Sequence, residues 1–156
     1  MAKKTYNEKL NTSANLPKVE DLSDNPEAVK RIGGVQMLIA APVQYNEIMA
    51  KIPDGKLSTI DRVRAYLAFE SGADTTCPLT AGIFVNICAH ASEERLNNKI
   101  PWWRMLKAKG ELNEKYPGGI NGQKLMLEMD GHTIIQKGKR YFVKDYESNL
   151  IDLRLC

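Results

Sequence analysis

The sequence lacks the marks of a membrane or secreted protein. No apolar run approaches the roughly 18 residues that a membrane-spanning helix requires. The first ten residues, MAKKTYNEKL, carry lysines without the apolar stretch that follows them in a signal peptide. The chain is therefore expected to be cytoplasmic and to have no membrane contact.

Cysteine and histidine are also scarce. The three cysteines are Cys77, Cys88 and Cys156. If the first two share a helix, they lie about 16 Å apart along its axis, too far for a disulfide. The two histidines, His90 and His132, have no Cys or His neighbours at the spacing of a zinc site. We expect reduced thiols and neither metal nor cofactor.

Positive charge is modest in amount but unevenly distributed. The 156 residues have a net charge of +3. Between positions 99 and 140, nine lysines and arginines stand against four acidic residues, whereas the first thirty residues hold five of each. A basic C-terminal half is typical of a phosphate-binding surface, although a solvated basic face gives the same count.

The composition fits one globular domain preceded by a polar arm. Apolar residues make up 43% of the chain and charged residues 26%, as in ordinary globular proteins. Residues 1–25 show no sustained periodicity, and we expect residues 1–40 to form an N-terminal arm packed on or beside a domain of residues 41–156. Within the arm, Asp24-Asn25-Pro26 predicts the start of a short helix that ends at Gly33, and residues 35–39 predict a strand.

Apolar spacing predicts the helices of the domain. Pro42 begins a helix whose buried face is Tyr45, Ile48, Met49 and Ile52. Ser58 or Thr59 caps a second helix that reaches Glu70, and Pro78 begins a third that reaches Glu94. The side chains expected inside these two helices are Ile60, Val63, Leu67, Ile83, Phe84, Ile87 and Ala91. Such a pair forms a helix-turn-helix, which DNA-binding proteins share with helix pairs of other roles.

Smaller elements complete the chain. Residues 99–112 predict two extended pieces around a glycine turn. Asn121 is expected to cap a last helix that has Leu125, Met126 and Met129 inside and ends at Gly131. Residues 133–136 and 141–144 predict a β-hairpin. The predicted fold is therefore mainly α-helical with small β elements.

Four segments between residues 45 and 131 carry a family resemblance. Residues 52–59 read IPDGKLST, residues 80–82 read TAG, residues 100–104 read IPWWR with GEL at 110–112, and residues 116–119 and 127–132 read YPGG and LEMDGH. In order and spacing they resemble IPxGxVxTY, RAVG, (I/V)PCHR and YxGG…LLxxEGH of the DNA-binding domain of the methylated-DNA–protein-cysteine methyltransferases. The resemblance implies a winged helix-turn-helix domain with an N-terminal arm and a C-terminal β-hairpin, and double-stranded DNA as the partner.

Within this resemblance the active site is altered. The family nucleophile is a cysteine activated by the next histidine and a carboxylate. Here the cysteine position is Trp102, the histidine position is Trp103, Arg104 is retained, and Asp130 stands for the glutamate. An indole does not accept an alkyl group in this chemistry. Tryptophan at the cysteine position resembles the alkyltransferase-like branch, whose motif is PWHR and which implies a sensor that binds alkylated guanine and recruits repair.

Two family tools for flipping a base out of the duplex are also replaced. By the resemblance, the tyrosine that helps rotate the nucleotide corresponds to Ile60, and the arginine that takes its place in the duplex corresponds to Leu79. Flipping costs roughly a few kcal/mol that other contacts must offset. A leucine can still act as an apolar wedge between base steps.

Three functions stay open at this point. The first is a non-enzymatic DNA-binding protein that senses alkylated guanine, in which Trp102 or Trp103 lines a purine pocket rather than packing in the core. The residues expected at its DNA surface are Thr75, Thr76, Leu79, Thr80, Arg104, Lys107 and Lys109. The second is a winged-helix module for regulation or for binding a repair or regulatory protein. The third is a methyltransferase that uses another cysteine, Cys77.

Overall fold

A computed structural model describes residues 3–12 and 15–155 of the chain. Its helices are α1 (Tyr6–Asn11), α2 (Pro26–Ile32), α3 (Pro42–Ala50), α4 (Ile60–Ser71), α5 (Pro78–Glu94) and α6 (Gly119–Met129). Its strands are β1 (Lys18–Asp21), β2 (Gln36–Ile39), β3 (Ser58–Thr59), β4 (Thr75–Thr76), β5 (Met105–Leu106), β6 (Ile134–Lys137) and β7 (Arg140–Val143). Among these residues no helix is both long and apolar enough to cross a membrane.

The described residues before position 41 are built onto the helical part of the chain. Asn25 caps α2 by accepting a hydrogen bond from the Ala28 N–H at 3.1 Å, and Gly33 ends it with φ of 94°. β1 pairs antiparallel with β2, and β2 pairs parallel with β4. α1 packs on α5, and its Leu10 enters the main core. The predicted helix and strand are confirmed, whereas α1 and β1 were not foreseen; the division of the chain at residue 40 stays a proposal.

The main core lies where α3, α4 and α5 meet. α3 buries Tyr45, Ile48 and Met49 as predicted, and Ile52 is buried just beyond its end. The predicted pair of helices is confirmed as α4 and α5, and Gly72 ends α4 with φ of 77°. Thr59 is the N-cap residue of α4, one of the two predicted, but its side chain makes no capping hydrogen bond. Ser58 and Thr59 also form β3, which pairs parallel with β5.

Three side chains predicted inside lie outside. Ile83 on α5 is 47% exposed, and Leu125 and Met129 on α6 are 60% and 73% exposed. The buried side of α5 is formed by Ala81, Val85, Cys88, Ala89, Ala91 and Ser92, and that of α6 by Gln123 and Leu127. A helix presents one side to its neighbours. Because the residues just named form that side, Ile83, Leu125 and Met129 point away from the core.

The C-terminal part forms a second, smaller core under the hairpin. β6 and β7 pair antiparallel from Ile134 opposite Val143, which confirms the predicted hairpin. α6 begins at Gly119 rather than at a cap on Asn121. Gly118, its N-cap residue, and Gly119 adopt positive φ, 77° and 66°, which glycine tolerates. The chain before α6 was predicted as extended pieces but forms 3-10 turns at Trp102–Arg104 and Ala108–Gly110 on either side of β5.

Candidate functional site

The 3-10 turn Trp102–Arg104 is held from below by two buried polar side chains. The Gln123 amide donates to the carbonyl oxygens of Trp103 at 3.0 Å and Met105 at 3.4 Å, and the Tyr116 hydroxyl donates to Met105 O at 3.0 Å. Gln123 Oε1 also accepts from the Asn113 N–H at 2.7 Å. Since buried polar groups are costly to leave unpaired, these bonds fix the turn against α6.

Trp102, at the position that the resemblance equates with the family cysteine, is a core residue. Only 4% of it is exposed. Its ring meets Trp103 and Tyr116 edge to face, with centroids 5.5 Å and 5.4 Å away. Its Nε1–H donates to Glu93 Oε1 at the end of α5, at 2.9 Å. The indole is therefore packed and hydrogen-bonded, with its ring closed off by other aromatic rings.

Asp130 joins Trp103 to Arg104. Its Oδ2 accepts from Trp103 Nε1–H at 2.9 Å and from Arg104 Nε at 2.7 Å, and its Oδ1 accepts from Arg104 Nη2 at 3.1 Å. Arg104 also donates to Ile52 O at 2.9 Å and to Asp54 Oδ1 at 2.6 Å. Its guanidinium lies 5.3 Å from the centroid of the Trp103 ring, within range of a cation–π contact. Arg104 thus ties three parts of the chain together.

The electrostatics of this cluster keep both partners ionised. Burial alone would raise the pKa of Asp130, but hydrogen bonds from Arg104 and Trp103 outweigh it and hold the pKa below its usual value. The hydrogen bonds from Arg104 to Asp130, together with the nearby carboxylates, raise the pKa of the guanidinium. The cluster is a fixed pair of charges, and neither member is poised to exchange a proton near neutral pH.

Trp103 lines an open groove, which Trp102 does not. The groove holds about 530 Å³ and lies between the end of α3, the 3-10 turn, the end of α5 and one side of α6. Its lining consists of Ala50, Lys51, Ile52, Pro53, Glu93, Lys99, Ile100, Pro101, Trp103, Arg104 and Met126. Of the two tryptophans proposed to line a pocket, Trp103, which is half-buried, is therefore the one that borders a groove.

The predicted DNA-facing residues in β4 and at the start of α5 differ in exposure. Leu79, at the start of the helix, is 71% exposed. Thr75 and Thr80 are half-buried, and Thr80 Oγ1 has no hydrogen-bond partner within the described chain. Thr76 is buried and donates its hydroxyl to Arg64 O at 2.7 Å, while Arg64 Nε donates to Thr76 O at 3.0 Å. Thr76 thus fastens α4 to β4, and its hydroxyl is already in use.

The three predicted cations also have different surroundings. Arg104 is only 7% exposed and faces the groove that Glu93 lines, rather than standing free. Lys107 forms ion pairs with Glu111 at 3.9 Å and Glu114 at 3.7 Å. Lys109 is exposed and has a positive φ of 65°. The ammonium group of Lys109 is within reach of solvent. That of Lys107 is also within reach of solvent, although two glutamates lie beside it.

Sequence reasoning missed the acidic and amide partners of the turn. Asp54, Glu93 and Gln123 each bind a member of the Trp102–Arg104 turn. Each bond joins residues that are 9 to 50 positions apart, so no local pattern pairs them, although Asp54 lies in the segment IPDGKLST that carries the resemblance. One available signal was the amide of Gln123 within an apolar helix. Because Leu125 and Met129 were wrongly assigned to the core, the side of α6 that carries Gln123 was expected to face solvent.

The sequence matches no protein-family model and no curated protein. Among solved structures, the chain is similar to S. pombe ATL in complex with DNA, at 20% identity and a TM-score of 0.50. It is similar too to S. pombe Atl1 in complex with damaged DNA containing O6-carboxymethylguanine, at 19% identity and a TM-score of 0.51. Each match covers 71% of this chain and 94% of the other. The chain therefore has the fold of an alkyltransferase-like protein, mainly helical with small sheets, as the resemblance implied.

Proposed function

We propose that the chain is a non-enzymatic DNA-binding protein of the alkyltransferase-like type, which senses alkylated guanine in double-stranded DNA for repair. The observation that carries this proposal is the state of the altered site. The carboxylate clamp of Asp130 on Arg104 is intact, but Trp102 and Trp103 stand where the family has its cysteine and histidine. The fold shared with a protein bound to damaged DNA supports the same conclusion.

The site residues argue against alkyl transfer. An indole N–H is a donor only, so Trp103 donates to Asp130 as a histidine could but has no lone pair with which to take a proton. Cys77 is 9% exposed, and no residue of the described chain hydrogen-bonds its thiol. A nucleophilic cysteine needs an adjacent base or cation that stabilises the thiolate. We therefore assign no catalytic residue.

We place the DNA contact at the start of α5. α4 and α5 would act as the helix-turn-helix and the β6–β7 hairpin as the wing. Leu79 and Thr80 would face the duplex, where a helix N-terminus favours phosphate, and Thr75 would flank them. Leu79 and Ile83 lie one turn apart on the exposed side of α5. This apolar pair suits insertion at a base step, in place of the missing arginine. Lys107 and Lys109 would contact phosphates.

One observation favours a second candidate, a winged-helix module for regulation or protein interaction. α5 carries neither lysine nor arginine over its 17 residues. Side chains of that type supply most specific contacts to guanine. Without them the helix would bind DNA only through its apolar pair, its threonines and its flanking lysines.

The proposal is tested by measuring the affinity of the chain for two duplexes. One contains O6-carboxymethylguanine, and the other contains unmodified guanine at the same position. We expect tighter binding to the modified duplex at both of two salt concentrations, with affinity falling as salt rises because phosphate contacts release counterions. Equal, salt-dependent binding to both duplexes would favour the regulatory module. Failure to bind either duplex would refute a DNA-binding function.

A further inference from the structure

The β6–β7 hairpin concentrates positive charge on a small part of the surface. Residues 133–144, which span both strands and the turn between them, hold four cations and no acidic residue. The four cations, all exposed, are Lys137, Lys139, Arg140 and Lys144. By contrast, α5 carries neither lysine nor arginine over its 17 residues. If the chain attracts phosphate, the charge has to come from an element other than α5.

The strand register places these cations on the outer side of the hairpin. Lys137 lies directly opposite Arg140, and successive residues of a strand alternate between its two sides. Arg140, Phe142 and Lys144 therefore share one side. Val143, on the other side, is buried in the second core. The Lys137 ammonium and the Arg140 guanidinium lie 5.4 Å and 5.3 Å from the centroid of the Phe142 ring, so two cations are held over a single aromatic ring.

This arrangement is unfavourable in the free protein. Like charges that lie directly opposite each other in an antiparallel pair repel, and the contacts with the Phe142 ring offset only part of the repulsion. Glu111 accepts from Arg140 Nε at 3.0 Å, but neither Lys137 nor Lys139 forms an ion pair within the described residues. Natural proteins keep such local conflicts mainly at functional sites. A bound polyanion would remove the repulsion.

A cleft joins the hairpin to the segment that contains Lys107. It holds about 550 Å³. Its charged lining residues are Lys107, Glu111, Glu114, Lys139 and Arg140. The two glutamates balance two of these three cations. Over the whole face, residues 107–114 and 133–147 hold six cations against four carboxylates, the two that follow the hairpin included. The face therefore keeps a positive surplus after its acidic residues are counted.

The chemistry of this face fits a phosphate backbone better than a protein or a membrane. Within the described residues, none of the large apolar side chains that stand exposed lies in the hairpin, and Ile135 and Phe142 are half-buried. Protein interfaces bury an apolar centre, and membrane-bound segments insert apolar side chains. Interfaces with DNA are more polar and much more positively charged. A cation-rich pair of strands without exposed apolar anchors has the composition of the last kind.

We propose that the outer side of the β6–β7 hairpin, through Lys137, Lys139 and Lys144, binds the sugar–phosphate backbone of double-stranded DNA. The inference rests on the DNA-binding function proposed above, and it assigns to the hairpin the salt-dependent attraction that α5 lacks. Phosphate contacts hold and orient a protein on the duplex without reading its sequence. The hairpin therefore holds modified and unmodified duplexes alike, and the preference for a modified guanine belongs to other residues.

Salt titrations with an unmodified duplex test the hairpin contact. Lys137→Ala with Lys139→Ala should weaken binding and lower the slope of log affinity against log salt by about two, since each phosphate contact contributes about 0.9. Lys30→Ala with Arg31→Ala removes the same charge from the exposed end of α2 and is the matched control, which should leave the slope unchanged.

A variant that gains affinity complements these losses. Glu114→Gln removes an exposed carboxylate that pairs with Lys107 at 3.7 Å, on the cleft that Lys139 also lines. We expect it to strengthen duplex binding because it raises the positive charge of the face. Damage to the fold cannot produce such a gain.

Three outcomes would overturn the proposal. These are an unchanged slope in the hairpin variant, an equal change in the α2 control, and weaker binding by Glu114→Gln. A fourth is displacement of the duplex by polyglutamate as readily as by unlabelled duplex of equal charge, which would make an acidic protein segment the ligand.

The preference between the duplexes with O6-carboxymethylguanine and with guanine separates this proposal from the sensing function. The hairpin variant should weaken both duplexes by the same factor. Equal affinity of the unaltered chain for both, together with a lowered slope in the hairpin variant, would refute only the sensing function. A clear preference with an unchanged slope would refute only the hairpin contact, and binding to neither duplex would refute both.

Discussion

Asp54 and Asp130 bind the same guanidinium, yet their removal should have very different effects. The contact from Arg104 to Asp54 is the shorter, 2.6 Å against 2.7 Å to Asp130. Their burial differs far more, because the Asp54 side chain is 97% exposed and that of Asp130 only 11%. Solvent screens the first pair, whereas the second works in a drier environment. The difference in burial, rather than in distance, should therefore decide how much each aspartate contributes to the free energy of unfolding.

The magnitudes follow from what each substitution leaves behind. Asp130→Ala leaves Arg104, itself 7% exposed, with a carbonyl and the exposed Asp54, and it leaves the Trp103 N–H without its acceptor. Removing one member of a buried ion pair costs about 3–5 kcal/mol. Asp54→Ala removes an exposed carboxylate and should cost less than about 1 kcal/mol.

Urea unfolding near neutral pH measures both free energies of unfolding, with the dependence on urea concentration expected to stay the same in all variants. Equal destabilisation of the two variants would refute the reasoning, as would a larger effect for Asp54→Ala. Asp130→Asn is a useful companion variant, since it keeps the shape and one acceptor oxygen and should fall between the two alanine variants.

The remaining predictions concern pH, chemistry and DNA. The pKa of Asp130 is lowered in the folded state. Its contribution to the free energy of unfolding is therefore complete above the ordinary carboxyl pKa and is lost as pH falls through the pKa of the folded state. In Asp130→Ala this part of the loss of stability in acid should be absent. Intact-mass spectrometry after incubation with DNA containing O6-methylguanine should show no adduct, and a stoichiometric one on Cys77 would favour the enzyme. Lys107→Ala and Lys109→Ala should weaken binding to every duplex alike and reduce the salt slope by about one for each phosphate that is no longer neutralised. Leu79→Ala should reduce the bending of an end-labelled duplex measured by energy transfer, while Leu96→Ala should not; an unchanged bend would exclude the wedge.

Local sequence was enough to predict the helices that carry strong boundaries. α2 has its cap at Asn25 and its left-handed glycine at Gly33, and α5 begins at a proline, so the backbone chemistry alone sets these ends. α1 could not be found in this way. It has six residues, too few to be stable alone, and it is held on α5 by tertiary bonds such as those from the Tyr6 and Asn7 N–H groups to Glu94.

The choice of buried side was right for Ala91 but wrong for Ile83, Leu125 and Met129, for a different reason. Large apolar residues were assigned to the core of α5 and α6, but the neighbouring elements approach the helices where the side chains are small or amidic. Cys88 and Ala89 are fully buried while Ile83 is not, and Gln123 is fully buried while Leu125 is not. Periodicity identifies a row of apolar residues along a helix. Only the packing of other elements decides whether that row faces the core.

By the resemblance, the altered site keeps the residues that position the turn and lacks the cysteine and histidine that react. Trp103 donates to Asp130 and Asp130 binds Arg104, so the carboxylate still joins the turn to the end of α6. An imidazole in that position can also accept a proton through its second nitrogen, and an indole cannot. The ring of Trp102 is packed against Tyr116 and only 4% exposed, and it supplies no thiolate. The groups that react in the family are missing here and those that position are retained, which supports the binding role proposed above.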